Sequence, residues 1–125
     1  DGRTYHGYWA RGATAGDIRD DGTIAPTATV SSIPFTPEIS IAAMEEMQRR
    51  YGANLYRQYG FADAFNPSYK NGWFDVDYLG IDQGPIIAMI ENYRSGLVWE
   101  TMKKNPHVVR GLKRAGFTGG WLDQR

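Results

Sequence analysis

Cysteine is absent from the 125 residues, and histidine occurs only twice. The first absence excludes disulfides and thiolate chemistry, without separating a reducing compartment from an oxidising one. His6 and His107 share no ligand spacing, so a zinc site has nothing to rest on. Charge of either sign is not in excess: 14 basic and 14 acidic residues cancel to a formal net charge of zero, and they are interspersed. That balance argues against nucleic acid and against an anionic membrane surface as partners. No apolar stretch is long enough to cross a bilayer, and no charged-then-apolar leader is visible, so membrane insertion is not expected. A GxSxG elbow, a phosphate-binding loop, a dinucleotide fingerprint and a calcium-loop spacing are all missing, so neither a metal nor a cofactor is expected. The chain opens on Asp1 and reads as a piece of a longer protein.

What is present is aromatic and planar. Tyr, Trp and Phe together make up 14% of the chain and arginine outnumbers lysine, a bias suited to stacking and planar hydrogen bonding. Residues 1–35 are rich in Gly, Thr, Ala and Asp, with turn signals at Asp21-Gly22 and Ala25-Pro26, and read as one long ordered loop lining a site. A helix should start at Thr36-Pro37-Glu38, with Thr36 as N-cap and an apolar stripe of Ile39, Ala43, Met47 and Tyr51, and stop at Gly52. A short helical continuation over 54–59 is expected, then a loop over 61–80 broken by Asn66-Pro67 and Asn71-Gly72.

Asp82 is expected to cap a helix that begins at Pro85 and runs as one piece over 86–102. It is apolar on nearly every face, so it belongs inside a larger protein. Glu91 and Arg94, three apart, read as a buried pair on that helix, and Trp99 as packing. Asn105-Pro106 repeats the cap-plus-proline start for a last amphipathic helix over 107–115. No convincing alternating strand is found, so the expected class is all-α. Amphipathic helices alternating with an apolar one would suit a ring of helices two layers deep. A ring of twelve helices needs roughly 200 residues at average helix and loop lengths, so the chain supplies about a third of one.

Three strings carry a family resemblance: DDGTIAPTATVSSIPFTPEI (20–39), YGFADAFNP (59–67) and LGIDQGPIIAMIENYRSGLVW (79–99). Together they resemble the C-terminal part of the bacterial glucoamylase or glycoamylase-like family, relatives of the endo-β-1,2-glucanases of glycoside hydrolase family 144. The resemblance implies that residues 1–125 are the C-terminal portion of one catalytic domain. Its fold would be a fragment of an (α/α)6 toroid with long cleft-lining loops, and the missing N-terminal part of the same barrel would be its partner. It also implies a β-linked oligo- or polysaccharide substrate, with β-1,2-glucan a candidate. Hydrolysis would be inverting with two carboxylates, and the parent protein would be periplasmic or extracellular, a lipid anchor being one form this takes in the family. The alternative is a non-catalytic carbohydrate-binding or accessory fragment.

Inverting hydrolysis needs one protonated and one ionised carboxyl about 6.5 to 9.5 Å apart. Asp82, at a helix start that favours its ionised form, is a candidate base or simply a cap; Asp63, between Phe61 and Phe65, is a candidate acid or an ordinary loop carboxylate. Trp9, Phe61 and Trp73, with Tyr8 and Tyr78, are loop aromatics on which a sugar ring could lie. Asp21, Asn66 and Gln83 offer groups that fit vicinal hydroxyls. Asp20 and Asp21 read equally well as turn residues before Gly22, and Glu38 as the stabiliser of its helix start.

Overall fold

The structure, a computed structural model, describes residues 20–124. It is helix-rich with two minimal antiparallel ribbons. In chain order come α1 (Pro26–Val30), α2 (Pro37–Tyr51), β1 (Tyr56–Arg57), β2 (Gly60–Phe61), β3 (Phe65–Asn66), β4 (Trp73–Phe74), α3 (Gly80–Ser95), α4 (Leu97–Lys103) and α5 (Pro106–Arg114). β1 pairs with β2 and β3 with β4, in the registers Tyr56↔Phe61 and Phe65↔Phe74. α1 packs on both α2 and α3.

Proline starts three of the five helices, α1, α2 and α5, because a first-turn residue has no intrahelical N–H bond to lose. In α2, Glu38 at the start and Arg49 and Arg50 at the end complement the dipole. The buried stripe of α2 is not the expected one. Ser40, Met44, Met47 and Tyr51 face inward, while Ile39 is 70% exposed, so the face is turned by about one residue from the Ile39-based stripe. The core gathers Val30, Met47, Leu55, Phe61, Ala62, Phe65 and Ile86, walled by Met44, Tyr51, Phe74 and Ile90. Tyr51 contacts both Phe65 (5.0 Å between centroids) and Phe74 (5.4 Å), which fixes the second ribbon to the end of α2.

Several expectations are corrected. Residues 54–59 are not helical: a 3₁₀ turn (Gly52–Asn54) leads into the β1–β2 hairpin. The stretches 20–35 and 61–80 are not plain loops, since they contain α1 and the β3–β4 ribbon. α3 begins at Gly80, so Asp82 lies in its first turn rather than at its cap, and Pro85 sits inside it. The expected single helix over 86–102 breaks at Gly96, which adopts φ +71, a left-handed conformation that only glycine takes at little cost. Asn92, buried on α3, supplies the missing cap to α4 by accepting from the Trp99 N–H at 3.0 Å. Glu91 and Arg94 are not a buried pair. They stand 3.7 Å apart at the surface, and Ser95 Oγ donates to Glu91 at 2.5 Å. Asn105 caps α5 as expected, accepting from the His107 N–H at 2.9 Å.

α2 to α4 also leave a large apolar area uncovered: Phe35, Ile39, Ile87, Tyr93, Leu97, Trp99 and Met102 are all exposed. Trp99, expected in packing, meets Phe35 at 5.7 Å and stays partly in solvent.

Candidate active site

The β1–β2 hairpin delivers the first carboxylate. Gly60, at φ +101, turns the chain, Phe61 drops into the core, and Gln83 Nε2 of α3 donates to the Phe61 carbonyl at 2.8 Å. Two residues on, Asp63 donates its N–H to the Asp77 carbonyl (3.1 Å), and the Asp75 N–H donates to the Ala64 carbonyl (2.9 Å). These bonds run Asp63 alongside the segment that leaves β4. Asp82, in the first turn of α3, closes the group from another side, its carbonyl accepting from Thr27 Oγ1 of α1 at 3.2 Å.

The Asp82 carboxyl stands as hydrogen-bond partner and like charge to the Asp63 carboxyl and favours the protonated form of Asp63. Asp63 is pushed up from an ordinary 3.8 to about 7. Burial contributes most, then the bond to Asp82 and its charge, then the charges of Asp75 and Asp77. Asp63 is half-buried, whereas Asp82 is 8% exposed and its Oδ2 has no hydrogen-bond partner among the described residues. Asp63 is therefore the member of the pair that reaches solvent. Arg57 is the cation of this region. Its Nη2 donates to the Asp75 carbonyl at 2.5 Å, and its guanidinium lies over the Tyr78 ring at 5.4 Å. Tyr78 meets exposed Tyr59 edge to face at 5.6 Å, giving an aromatic rim beside the carboxylates.

The nominated residues separate into two groups. Asp63, Asp82 and Gln83 come together, with Phe61 contributing its carbonyl to Gln83 while its ring is buried against Tyr56. Asp21, Asn66 and Trp73 form a second group, where Asn66 is 1% exposed and fully engaged. Its Nδ2 donates to the Asp21 carbonyl and to Thr23 Oγ1, and its Oδ1 accepts from the Ser68 and Tyr69 N–H groups. Asp21 Oδ1 in turn accepts from the Thr23 N–H, and half-buried Trp73 pairs with Asn66 across the ribbon. This second group braces a loop. Trp9 and Tyr8 lie outside the described residues. Among the described residues no group of three or more His, Asp or Glu has the arrangement of a metal site.

Sequence reasoning passed over Asp75, Asp77 and Arg57. The available signal was the Asp-x-Asp spacing after Trp73-Phe74, which sends both carboxylates the same way wherever the chain is extended.

A family described as "Putative glucoamylase" matches residues 1–106. The exo-β-1,2-glucooligosaccharide sophorohydrolase (non-reducing end) of Parabacteroides distasonis is 40% identical over 96 residues, which is 77% of this chain but 13% of that protein. Among solved structures, a "putative glucoamylase" from Bacteroides uniformis is 51% identical with a TM-score of 0.76, over 83% of this chain and 25% of that one. The endo-β-1,2-glucanase from Chitinophaga pinensis, solved with sophorotriose and glucose, is 41% identical with a TM-score of 0.80, over 96% of this chain and 28% of that one. The strings around the Asp63–Asp82 pair and the match over most of the length agree: the chain belongs to the glycoamylase family.

Proposed function

We propose that this chain is part of a glycoside hydrolase acting on β-linked glucan, with β-1,2-glucan the first substrate to test. The observation that carries the reading is the Asp63–Asp82 contact. It holds a half-exposed carboxyl that keeps its proton to about pH 7, the property a general acid needs at a glycosidic oxygen. Asp82, buried behind it, keeps that proton in place rather than activating water. Tyr59 and Tyr78 offer the flat surface on which a pyranose ring can lie. The names of the Chitinophaga pinensis endo-β-1,2-glucanase, 41% identical over 96% of this chain, and of the Parabacteroides distasonis sophorohydrolase, 40% identical over 77% of it, support the substrate class.

The domain is read as the C-terminal portion of an (α/α)6 toroid, the remainder of which covers the apolar area on α2 to α4. The parent protein is read as periplasmic or extracellular, where a polymeric glucan is met. Cell fractionation tests that placement.

Function is tested in the full-length protein carrying Asp63→Asn. Turnover of linear β-1,2-glucan, counted as reducing ends, should fall about 10² to 10⁴-fold with KM little changed, the usual worth of a positioned general acid. Retention of full activity would remove Asp63 from the chemistry. Glucan binding by the wild type without release of reducing ends would identify an accessory module instead.

A further inference from the structure

Asp75 does more than its turn requires. Its Oδ1 accepts from the Val76 N–H at 2.6 Å and the Asp77 N–H at 3.0 Å, a loop-bracing arrangement that asparagine would supply as well. Its Oδ2 is buried and has no hydrogen-bond partner among the described residues, and the residue as a whole is only 6% exposed. Leaving a buried carboxylate oxygen unpaired is costly, and an amide in its place could donate to a neighbour. Arg57 does not relieve it: the guanidinium bonds the Asp75 backbone carbonyl and stacks over Tyr78. Among the described residues the buried polar side-chain atoms without partners are Arg57 Nε, Asp75 Oδ2 and Asp82 Oδ2, and all three belong to this one locus. A buried carboxyl with an oxygen the turn does not use calls for a reason outside the turn.

The geometry points to Asp75 as a positioning residue: a buried carboxyl, held by its own turn beside the Asp63 segment, that acts on Asp63 without touching substrate. The placement follows from the backbone, since the bond from the Asp75 N–H to the Ala64 carbonyl sets it beside the Asp63 segment. Among the described residues, the charged groups that act on Asp63 are Asp82 from α3 and Asp75 and Asp77 from the segment after β4, while the nearby Arg57 is engaged with the Asp75 carbonyl and the Tyr78 ring. The direction agrees, because the Asp75 charge raises the affinity of Asp63 for its proton. The inference rests on reading Asp63 as the acid of the proposed hydrolase.

Asp75→Asn tests it, since the amide oxygen keeps both turn bonds and only the charge is lost. In the full-length protein, the alkaline limb of kcat/KM on β-1,2-glucan should move down by about one pH unit, a typical size for a neighbouring like charge. Activity at pH 8 relative to pH 5.5 then falls about tenfold, with KM unmoved. The pH at which folding stability declines should move down with it, and both shifts should vanish in an Asp63→Asn background. Asp75→Ser, made in parallel, keeps one acceptor and loses the same charge. If either variant folds and lowers stability equally at every pH while leaving both profiles in place, Asp75 is a turn residue and the inference is overturned. The unfolding profile needs no turnover: a protein inactive on glucan whose profile still shifts would lose the proposed function and keep the role of Asp75 beside Asp63.

Discussion

Removing the Asp63 carboxyl should make the folded protein more stable at alkaline pH and leave it nearly unchanged at acid pH. The group titrates at about 7 when folded and near its ordinary 3.8 when unfolded. Between those values the native state binds a proton that the unfolded chain has released. Stability therefore falls as pH rises through that window, and the loss is complete above about pH 7. Converted in full, a change from 3.8 to about 7 corresponds to roughly 4 kcal/mol. Asp63 is only half-buried, so solvent screening reduces the figure to about 1 to 2 kcal/mol. Asp63→Asn carries a neutral amide at every pH and can still donate to Asp82. Urea unfolding of full-length wild type and variant at pH 5 and pH 8.5 is the assay. The two should agree within about 0.5 kcal/mol at pH 5, and the variant should be about 1 to 2 kcal/mol more stable at pH 8.5. A variant equally destabilised at both values, or a wild type whose stability is flat from pH 5 to pH 8.5, would refute the account of this carboxyl.

Other perturbations probe what holds the pair in place. Asn66→Ala removes four hydrogen bonds from a buried amide and should cost about 2 to 4 kcal/mol by chemical unfolding; unchanged stability with weakened glucan binding would instead make Asn66 a sugar contact. Gly60→Ala forces a side chain onto φ +101 and sets its Cβ 3.1 Å from Gln83 Oε1, so a loss of about 1 to 3 kcal/mol is expected, and a neutral result would contradict the hairpin geometry. Asn105→Ala removes the cap of α5 and should cost about 1 kcal/mol, read as a lower urea midpoint with unchanged slope.

Local chemistry was legible wherever one residue dominates a short segment. Pro37 and Pro106 marked helix starts because a first-turn proline loses nothing, and Asn105 declared itself by the same rule. Pro85 misled for a related reason: it lies inside α3, and Gly80, with no cap side chain ahead of it, gave no sign of the earlier start. The break at Gly96 depends on Asn92 reaching the Trp99 N–H seven residues on, a bond that no period of hydrophobicity encodes. The ribbons are two residues long per strand, too short for alternation to be seen. Asp63 and Asp82 were each nominable from their neighbours, but their contact spans the hairpin and the start of α3. Asp75 and Asp77 were passed over, since only the backbone bonds from Asp63 to Asp77 and from Asp75 to Ala64 lay them along the Asp63 segment.

If Asp63 is the acid, as proposed, its contact with Asp82 bears on where the second carboxyl stands. On the proposed reading Asp82 is the hydrogen-bond partner of the acid Asp63, closer to it than the about 5 to 5.5 Å of retaining or about 6.5 to 9.5 Å of inverting glycosidases, so the base is sought elsewhere. Among the described residues Asp77 is the exposed carboxylate near Asp63, but its carbonyl accepts the Asp63 N–H, so both lie on one wall, whereas acid and base must flank the sugar. Asp77→Asn in the full-length protein should therefore keep turnover within about threefold of wild type, a loss far below the 10² to 10⁴-fold expected of a lost base. Proton NMR of the fresh product should show the α-anomer if the base stands across the cleft at the inverting distance. A Asp77→Asn enzyme that binds glucan normally yet turns over a hundredfold or more slowly would place the base on this wall and overturn the assignment of Asp63 as the acid opposite it.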